Sequence, residues 1–181
     1  MKPLRCFAAE RGLSLIEFLV TLSVLGLLLG AGIPAYGELV AAQEVRSAHS
    51  RLFAHLSLAR TTAITEGKQT VLCPSQDGQR CSGSTEWQTG WLTFVDRNRN
   101  RLRDPDERGL AFGRLPEHIS VVSSRARRAI RFLPSGASPG SNLTFTICQV
   151  HGGQPRAIIL SNVGRARSSR TRPDGSPLIC A

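Results

Sequence analysis

Lysine is almost missing from this 181-residue chain: Lys2 and Lys68 are the only two among 23 basic residues. Arginine carries nearly all of the positive charge, so its choice at any one position has no meaning by itself. Acidic residues are few as well, 13 in all, which leaves a formal charge of +10. None lies between Arg125 and Arg172, a stretch holding nine arginines at 125, 127, 128, 131, 156, 165, 167, 170 and 172. That stretch describes an electrostatic footprint for a polyanion. Nucleic acid suits it better than membrane phospholipid, because the planar guanidinium fork donates two parallel hydrogen bonds to a phosphate. The rival reading is a merely solvated basic face.

Other absences narrow the function further. No aromatic residue follows Phe145, which excludes base-stacking platforms for single strands from the C-terminal part. There is no Gly-x-Ser-x-Gly elbow, no phosphate-binding glycine loop and no His-Glu-x-x-His, so the known catalytic signatures are missing. His151-Gly152-Gly153-Gln154 echoes an oxyanion-hole loop but has no nucleophile to serve, and the paired carboxylates Asp106 and Glu107 sit in an arginine-rich turn. The chain reads as a non-enzyme that needs no cofactor.

What the chain does contain is one long apolar run. From Leu13 to Ile33 the only ionisable residue is Glu17, and a helix of that length covers roughly 32 Å, enough to cross a hydrocarbon core. A secretory signal would carry a shorter core with its cleavage site at the far end. Lys2, Arg5 and Arg11 precede the run and hold the N-terminus in the cytoplasm, which places everything after Pro34 on the outer side. A carboxylate at Glu17 costs at least ~2.5 kcal/mol inside a bilayer, so it calls for a partner or for a position near the headgroups.

Beyond Pro34 the pattern turns amphipathic. Val45, Ala48, Leu52, Leu56, Ala59 and Ala63 recur every three or four residues, with Glu44, Arg46, Arg51 and Arg60 between them. The spacing predicts one helix from about Leu13 to Thr65, ending near Gly67, whose outer half lays its apolar stripe on a globular domain. His49 and His55 read as packing or surface residues. Short strands then follow, at Thr70 to Leu72, Trp91 to Val95, Ile119 to Ser123, Ile130 to Leu133, Leu143 to Val150 and Ala157 to Ser161, separated by glycine, proline and serine turns. The fold class is α+β, a long helix against antiparallel sheet. The regions are 1–12, the basic stretch before the apolar run; 13–34, the apolar half-helix; 35–66, the amphipathic half; and 67–181, a β-rich domain with a basic tail.

Cys6 lies on the cytoplasmic side of the apolar run, leaving Cys73, Cys81, Cys148 and Cys180 for an oxidising compartment. Of three possible connectivities, 73 to 81 with 148 to 180 is the most economical, and it makes the tail a closed loop. No Cys-x-x-Cys spacing favours the rival zinc site. Asp96, Asn98, Asn100, Asp104 and Glu107 copy the oxygen spacing of a calcium loop. Arg101, however, stands where such a loop wants glycine, and Arg97, Arg99 and Arg103 add positive charge, so the stretch reads as a hairpin turn braced by Asp–Arg pairs.

Gly12-Leu13-Ser14-Leu15-Ile16-Glu17 ahead of an apolar run resembles the processing motif of type IV prepilins and type II secretion pseudopilins. The resemblance implies that a prepilin peptidase cuts after Gly12 and methylates Leu13. Removal of the leader takes away three basic residues and Glu10, leaving +8. It also implies that Glu17 pairs with the α-amino group of a neighbouring pilin subunit. Pro34 matches the proline that loosens pilin helices. Further along, the Trp91–Val95 strand with its Asp-Asn turn, the Phe132–Gly136 segment, and Ser161-Asn162-Val163-Gly164-Arg165-Ala166-Arg167 resemble the GspH/FimT family, whose Gly-Arg-x-Arg tail binds DNA in natural transformation. Carried over, Gly164 turns the backbone while Arg165 and Arg167 meet the phosphates of double-stranded DNA, with Arg170 and Arg172 extending the strip. The function expected is a minor type IV pilin that takes up DNA. The alternatives are a structural minor pilin that primes assembly with major and minor pilins, and a pseudopilin of type II secretion.

Overall fold

The computed structural model describes residues 14–124, 126–150 and 152–180, leaving aside the side chains at 31–35, 152 and 153. Gly12, Leu13, the rest of the leader and Arg125 lie outside the described residues. The chain divides into two compact units, residues 1–37 and 38–181.

Helix α1 runs Leu15–Glu66 and contributes to both units. Ser14 caps it: the Glu17 N–H donates to Ser14 Oγ at 3.3 Å and the Phe18 N–H to the Ser14 carbonyl at 3.1 Å. Glu17 therefore occupies the third helical position of a Ser-x-x-Glu start, where a carboxylate also meets the positive end of the helix dipole. The helical backbone continues through Pro34, so its missing N–H removes a rung without ending the helix. In the first unit the large apolar side chains from Leu15 to Leu29 are exposed. Among the described residues no helix is long and apolar enough to cross a membrane; the ends of the Leu13–Ile33 run lie outside the residues whose side chains are described.

The second unit holds eight strands: β1 (Thr70–Pro74), β2 (Trp91–Val95), β3 (Gly109–Gly113), β4 (Ile119–Ser123), β5 (Ile130–Phe132), β6 (Leu143–Gln149), β7 (Gly152–Leu160) and β8 (Ala166–Ser169). They form two antiparallel four-stranded sheets, in the orders β3-β2-β1-β5 and β4-β6-β7-β8. Two of these strands go beyond the six expected. Gly109–Gly113 carries weak strand formers and pairs because β2 offers it an edge. Ala166–Ser169, expected as part of a loop, is instead an edge strand on β7, with Ala166 packed toward the core.

All six residues of the α1 stripe are buried and join Trp87, Ile130, Phe132, Phe145, Ile147 and Ile158 in one cluster drawn from both sheets. Alanine at 48, 59 and 63 lets strands approach the helix closely. Thr70 Oγ1 donates to the Ala59 carbonyl at 2.7 Å, tying β1 to the helix. Farther toward the N-terminus, Glu44 Oε2 accepts from Gln149 at 2.8 Å and lies 3.0 Å from His118 Nε2. A smaller cluster of Val71, Cys73, Leu92 and Phe94 fills the other face of the first sheet.

His49 and His55 are packing residues. His49 lies against Phe53 and His55 meets the edge of Trp91, with its Nδ1 3.0 Å from Thr93 Oγ1. Burial holds both imidazoles below the ordinary histidine value of 6.5, with the Arg156 charge adding to the effect at His49. A depressed folded pKa means that the unfolded chain binds the protons first, so the stability contributed is complete above 6.5 and is lost as the pH falls through the folded values. The midpoint of thermal unfolding should therefore fall between about pH 7 and 5. A His55→Gln variant should lose part of that slope, and an unchanged slope in that variant would remove His55 from the account.

Candidate nucleic-acid interface

The basic tail begins at a turn that is locked in place. Between β7 and β8, the Gly164 N–H donates to the Ser161 carbonyl at 2.8 Å and the Ser161 N–H to the Arg165 carbonyl at 3.1 Å. Ser161 Oγ accepts from the Arg165 N–H at 3.3 Å. Gly164 has φ +77°, a left-handed conformation that glycine adopts without strain. A side chain there would also have no room: a Cβ on Gly164 would lie 1.9 Å from the Gly136 carbonyl oxygen.

That carbonyl belongs to a second glycine turn. Gly136 has φ +77° and its N–H donates to the Leu133 carbonyl at 2.7 Å. The two turns are bonded, since the Ser138 N–H donates to the Asn162 carbonyl at 2.8 Å. Arg60, on the last turns of α1, donates from Nε to the Gly136 carbonyl at 3.2 Å. The helix thus holds one turn and that turn holds the other. Sequence reasoning misses Arg60 as a support for the tail because it reads as an ordinary polar residue beside the apolar stripe; its register with the stripe is the only sequence signal.

From this base the four tail arginines diverge. Arg165, Arg167, Arg170 and Arg172 are all exposed. Ala166 points to the core, so Arg167 points away from it, on the side of Ile159, its partner across the strands. Arg167 lines a groove with Ser124, Thr144 and Pro173, and Arg172 lines the adjoining groove with the same three residues. Arg170 instead borders a depression with Arg156, Gln154 and Leu178. The single strip of four expected from the sequence is in this sense divided between two places. Among the described residues, Arg165, Arg167 and Arg170 form no ion pair, whereas Arg172 acts on Asp174. The Ser176 hydroxyl and N–H, and then the Arg172 charge, hold the Asp174 carboxyl below its ordinary value.

There are two disulfides among the described residues: Cys73 to Cys81, on the first sheet, and Cys148 to Cys180, which belongs to the tail. The second spans 32 residues and fixes the end of the chain to β6. Residues after β8 therefore form a closed loop across the outer side of the second sheet, with Pro173 and Ile179 on the groove walls. Among the described residues no group of three His, Cys, Asp or Glu side chains is gathered for a metal.

A model of the family described as Type II transport protein GspH matches residues 48–164, more than half of the chain. The chain belongs to the GspH family. Its similarity extends to the pilin-like protein PilA1 of Thermus thermophilus, at 33% identity over 87% of this chain and 97% of that one. Among solved structures it resembles the type IV minor pilin FimU of Pseudomonas aeruginosa, with a TM-score of 0.57 at 20% identity over 70% of this chain and 89% of the other. It also resembles the minor pseudopilin EpsH of the Vibrio cholerae type II secretion system, with a TM-score of 0.51 at 14% identity over 70% and 96%. These two structures show the fold. Together the comparisons establish a minor pilin or pseudopilin of the GspH/FimT kind, with a long N-terminal helix on antiparallel sheet. The GspH match ends at Gly164, so Arg165 and the arginines after it lie beyond the matched part.

Two outcomes test the tail's architecture in this GspH-family chain. Gly164→Ala should destabilise the protein by at least ~2 kcal/mol, since left-handed strain adds to a collision with Gly136; denaturant midpoints read this directly. Replacing Cys148 and Cys180 together by serine should cost about 2–4 kcal/mol through freed loop entropy, read in the same way.

Proposed function

We propose that this chain is a minor type IV pilin whose basic hairpin binds double-stranded DNA during uptake. The observation that carries the reading is the exposure of Arg165 and Arg167 on a turn made rigid by Gly164, Gly136 and Arg60, with no ion pair to neutralise them among the described residues. Cations held on a firm base lose little entropy when they meet phosphates. Arg172 adds charge on the same side of the sheet, reduced by Asp174. With no aromatic residue after Phe145, recognition rests on the duplex backbone and is blind to sequence.

Support for the pilin part comes from the family match and from the apolar, exposed side chains at Leu15–Leu29. On this reading a prepilin peptidase cuts after Gly12 and methylates Leu13. The helix then rests in the inner membrane, and Glu17 pairs with the N-terminus of a neighbouring pilin in the fibre. Ser14 at the helix start keeps Glu17 in the first turn, close to where a neighbour's amino group must arrive. A second reading has its own observation: β8 is a sheet edge, and charged side chains on an edge keep it from pairing with other strands.

Substituting Arg165 and Arg167 by glutamine separates the two. DNA binding should start at a dissociation constant of roughly 10⁻⁴ to 10⁻⁶ M near physiological salt. The double variant should weaken it for all sequences and flatten the log K against log salt slope by about two units, one for each phosphate no longer neutralised. An unchanged titration, or a variant that binds normally but self-associates, would leave these arginines as edge protection in a purely structural pilin or pseudopilin.

A further inference from the structure

The loop between β2 and β3 carries a set of oxygen atoms that the basic tail does not use, and only one of them, Asp96 Oδ2, is tied to a buried side chain outside the loop, Gln69. Asp96, Asn98, Asn100, Asp104 and Glu107 occupy places one, three, five, nine and twelve of a twelve-residue stretch, the ligand spacing of a calcium loop. The sequence objection is Arg101 at the sixth place. The backbone removes it: Arg101 has φ 64°, the left-handed turn for which glycine is ordinarily used. Its N–H donates to Asp96 Oδ2 at 3.1 Å, which folds the loop back over its first residue.

The other places converge as well. Asn98 Nδ2 and Asn100 Nδ2 both donate to Asp104 Oδ2, at 2.7 and 2.8 Å, which gathers the third, fifth and ninth side chains at one point. Glu107 is buried and accepts from the Arg97 N–H at 2.7 Å and the Asp104 N–H at 3.2 Å. The expected Asp–Arg braces are not what holds this loop. Its carboxylates are met by backbone N–H groups and side-chain amides, and Arg97, Arg99 and Arg101 are exposed.

Asp96 supplies the independent observation. It is 1% exposed, and its Oδ2 accepts from Gln69 Nε2 at 2.6 Å and from the Arg101 N–H at 3.1 Å, yet its Oδ1 has no hydrogen-bond partner among the described residues. A buried carboxylate oxygen without a donor is costly. A hard cation is the partner that an oxygen-lined loop is built to accept.

We propose that residues 96–107 bind one calcium ion. The ligands are Asp96 Oδ1, the Asn98 and Asn100 amide oxygens, the Leu102 carbonyl, and the Asp104 and Glu107 carboxylates. Because no three acidic side chains are already gathered for a metal among the described residues, binding includes a local rearrangement. Asp104 releases its two amide donors, and the asparagines present their oxygens to the ion. Three carboxylates offset the dication, while the exposed arginines oppose it. The affinity therefore falls in the class of extracellular modules, with a dissociation constant of roughly 10⁻⁴ to 10⁻³ M. A flexible ring of six or more oxygens suits calcium, whereas magnesium demands a smaller and stricter octahedron.

Isothermal titration of the full chain with calcium chloride, then with magnesium chloride, tests this without reference to DNA. One site with that calcium affinity is expected, with magnesium at least about tenfold weaker. Asp104→Asn should weaken calcium binding at least about tenfold while keeping the loop's hydrogen bonds. Asn98→Ala, at an exposed position, should do the same should the Asp104 variant fold poorly. The absence of both heat and any rise in melting temperature up to about 10 mM calcium overturns the proposal. So does calcium binding that both variants leave intact.

Discussion

Both sheets of the second unit close on one surface, the stripe from Val45 to Ala63 on α1, and the turns that carry the basic tail take their position from that helix. The stripe alternates large and small residues. Leu52 and Leu56 fill the space between the sheets, while Ala48, Ala59 and Ala63 bring strands near enough for Thr70 to bond the helix backbone. Fully burying each leucine is worth about 1.5–3 kcal/mol before entropy is counted. A helix fixed in this way becomes a reference for parts of the chain far away in sequence. Arg60 leaves the side of the same helix and reaches the Gly136 carbonyl, so the register of the stripe also sets the place of the 133–138 turn.

The tail inherits its position through backbone contacts that tolerate no side chain. Gly164 lies against the Gly136 carbonyl, and Asn162 accepts from Ser138. Such contacts are short and directional, which makes the hairpin stiff where Arg165 leaves it. The Cys148–Cys180 bridge fixes the other end, so a stretch whose composition reads as flexible is held at both ends. Holding both ends costs diversity of shape. The cations are then presented in two fixed directions, Arg167 and Arg172 over the outer face of the sheet and Arg170 beside Arg156.

Much of this was legible in the residues where a period enforces it. The α1 stripe follows the helical repeat, and all six expected strands carry β-branched or aromatic residues that mark them. The elements that were not legible owe their form to neighbours. Gly109–Gly113 and Ala166–Ser169 hold few strand formers and are strands because β2 and β7 offer open edges. The cap at Ser14 is legible as Ser-x-x-Glu, a pattern set by residues three apart. The grip of Arg60 on the second glycine turn could not be read, because the bond joins residues 76 apart and depends on two backbone conformations.

Charge is where sequence and structure part most usefully. Counted along the chain, the arginines at 97, 99, 101 and 103 look like part of the same basic excess as those at 165 to 172. In space they stand in opposite settings. The first group shares its loop with Asp96, Asp104 and Glu107, whose oxygens accept from backbone N–H groups and side-chain amides inside the loop. The second group has only Asp174, which acts on Arg172. A phosphate approaching from a distance greater than the screening length of roughly 8 Å feels little of either group. Within that distance the first group has three carboxylates in the same loop, and the second has one beside Arg172. On the proposed reading, the local balance of carboxylates, as well as the number of arginines, sets where a polyanion would settle on this molecule.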